Sequence, residues 1–274
     1  LLIKNPQMES TQIVGYFLAV IVGISLGLIG SGGSILTVPI LVYIMAVEPV
    51  LATAYSLFIV GSTALVGGIK SALLKKVDFK TVLIFGIPSI AAVYLTRAFI
   101  VPLLPEVIFS IGTFEFTKPI ALMLLFAVIM IMASVSMIKP SKVIEDENSP
   151  MKYNFPLILL EGLLVGVLTG LVGAGGGFLI IPALVLLAKM PMKLAVGTSL
   201  FIIAAKSLIG FLGDLKGNQT IDWSLLLLFT FASIIGIFIG IYLSKKIHGA
   251  KLKTGFGWFV LLMGIYIILK ELVL

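Results

Sequence analysis

The chain has 274 residues, of which 60% are hydrophobic and 11% charged, and its formal net charge is +7. Soluble domains average about 45–50% apolar and about 25% charged residues, so the composition excludes a soluble enzyme, a disordered chain and a nucleic-acid-binding protein. The apolar residues suffice for roughly eight membrane crossings of about 20 residues each. Because the sequence has no cysteine and one histidine, we expect no metal site and no cofactor.

Long apolar segments follow one another in the first part of the chain and recur in the second. In the first part they lie at about residues 12–46, 51–69, 80–100 and 118–138. In the second part they lie at about residues 157–188, 194–212, 223–244 and 255–273. Each set begins with an unusually long run, and three segments of membrane-spanning length follow it. The two parts therefore share one order of elements.

The repetition extends to a short motif. The pattern GLxGxGGxxLxxPxL occupies residues 27–41 and recurs at 170–184, which is 143 residues later. Self-similarity at a fixed spacing indicates an internal duplication. We expect a first transmembrane repeat at 1–138, a polar cytoplasmic linker at 139–155 and a second transmembrane repeat at 156–274. These parts would form one integrated transmembrane domain.

The long first run of each repeat is expected to break. As one helix of about 35 residues it would measure roughly 50 Å, against a hydrocarbon core of about 30 Å. Its middle holds a glycine cluster, at residues 30–33 or 173–177. Clustered glycine weakens a helix and permits positive φ angles. Each run should therefore divide there into two shorter helices.

The loop charges indicate how the broken run crosses the membrane. A hairpin that returns to its own side places 13 of the 19 basic residues on one side and five on the other, with Lys206 inside a span. A single kinked crossing divides them about 10 against 8. Basic residues collect on the cytoplasmic side, so we predict hairpins, inverted repeats and both termini outside. The predicted fold class is an all-α polytopic membrane protein, each repeat being a Gly-broken helical hairpin plus three transmembrane helices.

Inverted repeats with interrupted helices are typical of secondary transporters, whose sites form near the bilayer midplane where broken helices meet. Backbone N–H groups at a helix start lack helical partners and carry the positive end of the dipole, which favours an anion. Close helix packing is the alternative role for such glycines. The candidate substrate-binding residues at the two breaks are Gly30, Ser31, Gly32, Gly33, Ser34, Gly173, Ala174, Gly175, Gly176 and Gly177.

Four further side chains are candidates for the same site. Ser56, Thr198 and Ser199 open the helix that follows each hairpin, where their hydroxyls could face the site or bond back to the preceding turn. Lys206 lies deep in a predicted span, where a charge is costly and by default functional. It could attract an anion, act as a titratable coupling group, or extend its stem to the outer interface.

Two charged residues have less central positions. Glu161 lies near the start of a span, where it could couple protons or reach the cytoplasmic interface. Arg97 lies at the outer end of its span, and we expect it to be an interfacial anchor. Asp214 follows Lys206 by eight residues, too far along one helix for a direct pair.

The repeated Gly-rich block, together with Ala-Val-Gly-Thr-Ser-Leu at 195–200, resembles the sulfite exporter TauE/SafE family over essentially the whole chain. The resemblance implies a transporter of small sulfur-containing anions such as sulfite, thiosulfate and sulfonates. It also implies that the Gly-rich blocks and the Thr-Ser pair carry the site. The sequence departs from the family pattern at Ser34, Tyr55 and Lys206, which leaves the substrate open.

The predicted function is a secondary transporter, working by alternating access in the prokaryotic inner membrane. A passive anion channel and a carrier of a non-sulfur small anion are the alternatives. No Walker motif is present, so ATP is not the direct energy source. An enzyme would need a nucleophile with a base or a metal cluster, and a scaffold would not need two helix breaks. The expected partners are a small anion, membrane lipid and a coupling proton or sodium ion, with no nucleic acid.

Overall fold

The computed structural model describes residues 6–30, 33–111, 114–139, 155–186, 190–215, 221–244 and 249–273. The predicted first repeat contains α1 (Pro6–Ile29), α2 (Gly33–Pro39), α3 (Pro49–Leu73), α4 (Phe79–Leu95), α5 (Val101–Leu103) and α6 (Lys118–Ile138). The second contains α7 (Phe155–Val172), α8 (Gly177–Leu186), α9 (Met192–Asp214), α10 (Trp223–Leu243) and α11 (Gly249–Val273). Short π-helical segments, Ile40–Ile44 and Thr96–Ile100, extend α2 and α4.

Six helical segments in the described part of the chain are long and apolar enough to cross a membrane. They are Thr11–Ile29, Pro49–Leu73, Phe79–Leu103, Lys118–Ile138, Leu194–Asp214 and Trp223–Leu243. Two further helices, Gly33–Ile44 and Pro156–Val172, are also apolar but shorter. Each predicted span coincides with one helix. The protein is an all-α polytopic membrane protein, as the sequence predicts.

Both long apolar runs break at their glycine clusters. Gly30 ends α1 with a φ of +77°, and Gly173 ends α7 with a φ of +73°. These are left-handed conformations that side chains with a Cβ rarely adopt. The break is not central in the first repeat, because α1 has 24 residues, about 36 Å of helix. The polar residues at the start of α1 lengthen it beyond the apolar run from which the prediction was made.

After the first break, the chain turns back along α1. A Cβ on Gly33 would contact the carbonyl oxygen of Val22, whereas a Cβ on Gly15 would lie 2.7 Å from Met45 Sδ. The chain from residue 33 to residue 45 therefore runs antiparallel to α1. At the second break, a Cβ on Gly176 would lie 3.1 Å from Val165 Cγ1, and Val165 is equivalent to Val22. The two turns thus share their geometry.

Equivalent helices of the two repeats pack in pairs. Helix α3 packs against α9 and α6 against α11, while α1 packs along α10 and α7 along α4. The contacts of Gly61 with Leu208 and of Gly67 with Leu200 show that α3 and α9 run antiparallel. The inversion of the two repeats stays a prediction. Orientation relative to a membrane, and the division into two repeats and a cytoplasmic linker, stay predictions.

A short antiparallel hairpin, β1 (Val107–Ile111) and β2 (Phe114–Thr117), stands between α5 and α6. The rings of Phe109 and Phe116 stack across it, with centroids 4.6 Å apart. This hairpin was not predicted from the sequence, because its apolar residues continue those of the neighbouring spans.

Candidate functional site

The two helix breaks meet between the central helices α3 and α9. A Cβ built on Gly175, which has a φ of +62°, would lie 3.1 Å from the Cβ of Ser34. It would also lie 2.7 Å from Val60 Cγ1 and 3.5 Å from Ile203 Cγ2. Val60 and Ile203 occupy equivalent positions near the middle of α3 and α9. The meeting point therefore lies at mid-length of the two central helices.

Two of the predicted glycines are explained by close packing. A Cβ on Gly30 would lie 2.6 Å from Val196 Cγ1, and one on Gly173 would lie 2.6 Å from the Cα of Thr53. Thr53 and Val196 are equivalent positions near the starts of α3 and α9. Glycine is needed here because the backbone turns with positive φ against a neighbouring helix.

Lys206 lies against the second break. Its side chain is completely buried, and Nζ donates a hydrogen bond to Thr169 Oγ1 at 2.8 Å. A Cβ on Gly176 would lie 2.6 Å from that Nζ and would contact Thr169 Oγ1 as well. The stem does not extend to an interface, so that alternative for Lys206 is wrong. No acidic side chain within the described ranges forms an ion pair with it.

The hydroxyl candidates divide into two groups. Ser56 is buried, and its Oγ has no hydrogen-bond partner among the described residues. Its equivalent, Ser199, donates back to the carbonyl oxygen of Val196 at 2.9 Å. Thr198 Oγ1 accepts the backbone N–H of Asp78 at 2.9 Å, just before α4. Of the three, Ser56 alone has a hydroxyl not engaged by a described residue.

The difference between Tyr55 and Thr198, seen as a departure in the sequence, has a structural explanation. The Tyr55 hydroxyl accepts the backbone N–H of Asp222 at 2.5 Å, just as Thr198 accepts that of Asp78. Each aspartate caps the helix that follows it, α10 or α4. Different side chains at equivalent positions thus accept the same hydrogen bond from the residue before α10 or α4.

The remaining site candidates that the structure describes lie around the same meeting point. Ala174 is buried between the two left-handed glycines, and Gly177 begins α8. Gly33 begins α2, where a Cβ would lie 2.8 Å from Ser25 Oγ. Ser31 and Gly32 lie outside the described residues. Whether any of these residues binds substrate stays a prediction.

The expectation for Arg97 is wrong. Its side chain is buried rather than interfacial, and Nη1 donates to Asp214 Oδ1 at 3.3 Å. Glycine makes the enclosure feasible, because a Cβ on Gly213 would lie 2.9 Å from the Arg97 Cβ. The pair joins the first repeat to the second. Local sequence patterns hold no signal for a contact between residues so far apart in the chain.

The last helix of each repeat lies beside the hairpin of the other repeat, and the two packings differ in tightness. An apolar groove of about 620 Å³ lies between α1, the α2 segment and α11, and its walls include Ile29 and Leu36. At the equivalent place, α6, α7 and α8 enclose about 10 Å³ beside Val172 and Leu179. Helix α11 therefore stands away from the first hairpin, α1 and α2, whereas α6 packs tightly on the second hairpin, α7 and α8.

The fold and the paired helix breaks place the protein among polytopic membrane proteins with duplicated, interrupted helices. The family model described as sulfite exporter TauE/SafE matches residues 16–267. The chain therefore belongs to the TauE/SafE family, and it is a membrane transporter of that type.

Three curated relatives are similar over most of their length. A probable membrane transporter protein of Xylella fastidiosa is 29% identical over 257 residues, which cover 92% of each chain. The probable membrane transporter proteins YunE and YjnA of Bacillus subtilis are 29% and 27% identical. These alignments cover 88% and 90% of this chain, and 91% and 96% of the relatives. No solved structure gives a significant match. The relatives are named as transporters rather than enzymes.

Proposed function

We propose that the protein is a secondary transporter of small sulfur-containing oxyanions, such as sulfite, thiosulfate or sulfonates, in the prokaryotic inner membrane. The observation that carries the proposal is the buried ammonium group of Lys206 at the second helix break. A buried charge is costly in a membrane protein and marks a functional site by default. A bound anion would compensate it. The choice of sulfur rests on the family.

The surroundings of Lys206 suit a small oxyanion. Gly175 and Gly176 both have positive φ angles, and the absence of a side chain at Gly176 lets the Lys206 Nζ lie against the main chain. Helix α8 begins at Gly177, so its first backbone N–H groups and dipole add positive potential. The buried hydroxyl of Ser56, which has no hydrogen-bond partner among the described residues, is a further donor on α3. Together these features supply cationic and neutral donors from both repeats.

The unequal packing of α11 and α6 on the hairpin of the other repeat supports alternating access. In inverted repeats, one side opens when one repeat adopts the conformation of the other. Here α11 packs loosely on α1 and α2 while α6 packs tightly on α7 and α8, so an exchange of these two arrangements is the expected movement. The groove beside α11 is apolar, so it supplies room for helix movement rather than a path for the anion. A passive channel would need no such exchange.

The proposal is tested by flux into proteoliposomes that contain the purified protein. Sulfite, thiosulfate, sulfate and methanesulfonate are offered with and without an imposed proton gradient or sodium gradient. Saturable uptake of a sulfur oxyanion, accumulated against its own gradient when an ion gradient is imposed, is the expected result. Uptake that only equilibrates supports the channel. Absence of all four fluxes from folded protein overturns the sulfur assignment, and carboxylates and phosphate then test the non-sulfur alternative.

A further inference from the structure

Buried polar atoms without partners are concentrated on α4, on the π-helical segment that follows it, and on α9. In the described part of the chain, seven buried side-chain nitrogen or oxygen atoms have no hydrogen-bond partner. Six of these seven atoms belong to Ser89, Thr96, Arg97, Ser207 and Asp214. Buried polar groups are nearly always paired, so each exception calls for an explanation. Ser89 and Thr96 lie toward Gly166 and Gly170 of α7, whereas Arg97 lies toward Gly213 of α9, so these residues form one cluster where three helices meet.

The cluster follows one face of each helix. Ser207 and Asp214 are seven residues apart on α9, and Ser89 of α4 is seven residues before Thr96, which opens the π-helical segment, so each pair lies on one helical face. The two helices pack side by side. The cluster begins beside Lys206 and ends at Asp214, about 12 Å further along α9. It therefore extends from the proposed substrate site toward one end of the helix.

Arg97 has an unused hydrogen-bonding edge at the far end of this cluster. Asp214 engages only Nη1, whereas Nε and Nη2 have no partner among the described residues. The Arg97 side chain is 0% exposed. Nε and Nη2 form one planar fork of the guanidinium, and such a fork binds two oxygens of one anion. A π-helical segment, Thr96–Ile100, places this side chain, and π segments are frequent at functional sites.

We propose that Arg97 is a second anion-binding residue, whose Nε and Nη2 hold two oxygens of the transported oxyanion while Asp214 stays on Nη1. This inference rests on the proposed function. It assigns to the transporter a second subsite, which the anion occupies before or after Lys206. In the predicted topology this subsite lies between Lys206 and the outer face.

Asp214 gives the second subsite a link to protons. The other charged or titratable residues on the helices packed around it are Tyr55, Lys70, Lys80, Tyr94, Arg97, Glu161, Lys193 and Lys206. Of these, Arg97 is the one in an ion pair with Asp214 within the described residues. An anion on Arg97 would place a second negative charge near Asp214, and like charges in a buried site favour protonation of one of them. The bound anion therefore brings one proton with it.

The test compares uptake by wild-type protein with that of R97K and D214N in proteoliposomes. The control is E106Q, which removes the exposed acid of the other described ion pair, Glu106 with Lys118. The pH series uses thiosulfate, sulfate or methanesulfonate, whose charges are constant from acidic to neutral pH. Size-exclusion chromatography and thermal unfolding in detergent establish that each variant is folded.

Wild-type and E106Q uptake should rise as the pH falls. R97K keeps the charge but loses the fork, so uptake at low anion concentration should fall by at least about tenfold at every pH. D214N should remain active but lose the pH dependence and the accumulation driven by protons. If R97K does not fold, the pH dependence of uptake by D214N alone tests the second subsite.

Two results separate this inference from the proposed function. If wild-type protein transports the anion and R97K transports it equally well, the second subsite is overturned and the transporter proposal stands. The same conclusion follows if uptake by D214N keeps the wild-type pH dependence. Absence of wild-type flux for all four anions overturns the sulfur-oxyanion proposal and this inference with it.

Discussion

Individual glycines differ in whether the fold requires a residue without a side chain at their position. Gly176 has a φ of +63°, and a Cβ there would contact Thr169 Oγ1 and lie 2.6 Å from Lys206 Nζ. Gly86, by contrast, lies within α4, where a Cβ would meet nothing within 4 Å. The first glycine is required by its backbone and its neighbours, whereas the second is not.

The substitution G176A should therefore destabilise the protein, while G86A should not. Left-handed backbone costs about 1–2 kcal/mol for a residue with a Cβ, and the added methyl group also displaces the Lys206–Thr169 pair. G86A should be neutral or more stable by up to about 1 kcal/mol. Thermal unfolding in detergent measures both. Equal stability of the two variants would contradict the conformation assigned to the second break.

At the scale of helices, equivalent hydrogen bonds made by different residues hold neighbouring helices together. Tyr55 and Thr198 each accept the backbone N–H of the aspartate that caps the next helix. This contact holds the start of α10 against α3 and the start of α4 against α9. The arrangement fixes the ends of the two central helices, between whose middles the breaks meet.

The variants Y55F and T198V should each lower the free energy of unfolding by about 1–3 kcal/mol, because each leaves a backbone N–H without its acceptor. T63V is the matched control, since Thr63 only donates back to Ile59 within α3. Denaturant unfolding in micelles compares the three. A loss in T63V as large as in T198V would show that the hydroxyl contact between helices is not the cause.

At the scale of the whole molecule, hydropathy and glycine clusters predicted most of the architecture. Each membrane-spanning segment and both breaks follow from them, because apolar length and backbone freedom are local properties. The buried position of Lys206 was among the predicted alternatives for the same reason. The pairing of Arg97 with Asp214 was not predictable, because helices from different repeats must pack before the contact exists. The β1–β2 hairpin was also missed, since its aromatic residues read as part of an apolar run.

The orientation of the whole molecule is a separate prediction. The hairpin arrangement gives each repeat an odd number of crossings and leaves 13 basic residues on one side against five on the other. A reporter that is active only outside the cytoplasm, fused to the C-terminus, should therefore be active. Activity of a cytoplasmic reporter in that position would contradict the inverted topology, and a fusion at the linker 139–155 should give the opposite pattern.

The most direct test of the central claim is anion uptake by wild-type protein and K206Q, measured side by side in proteoliposomes. K75Q, which changes an exposed lysine in the turn after α3, is the control. Loss of a charged hydrogen-bond donor at the site should reduce uptake by at least about tenfold in K206Q, with K75Q unchanged. If folded K206Q takes up the anion as fast as wild-type protein does, the account is contradicted, because the buried charge of Lys206 would then have no role in anion binding.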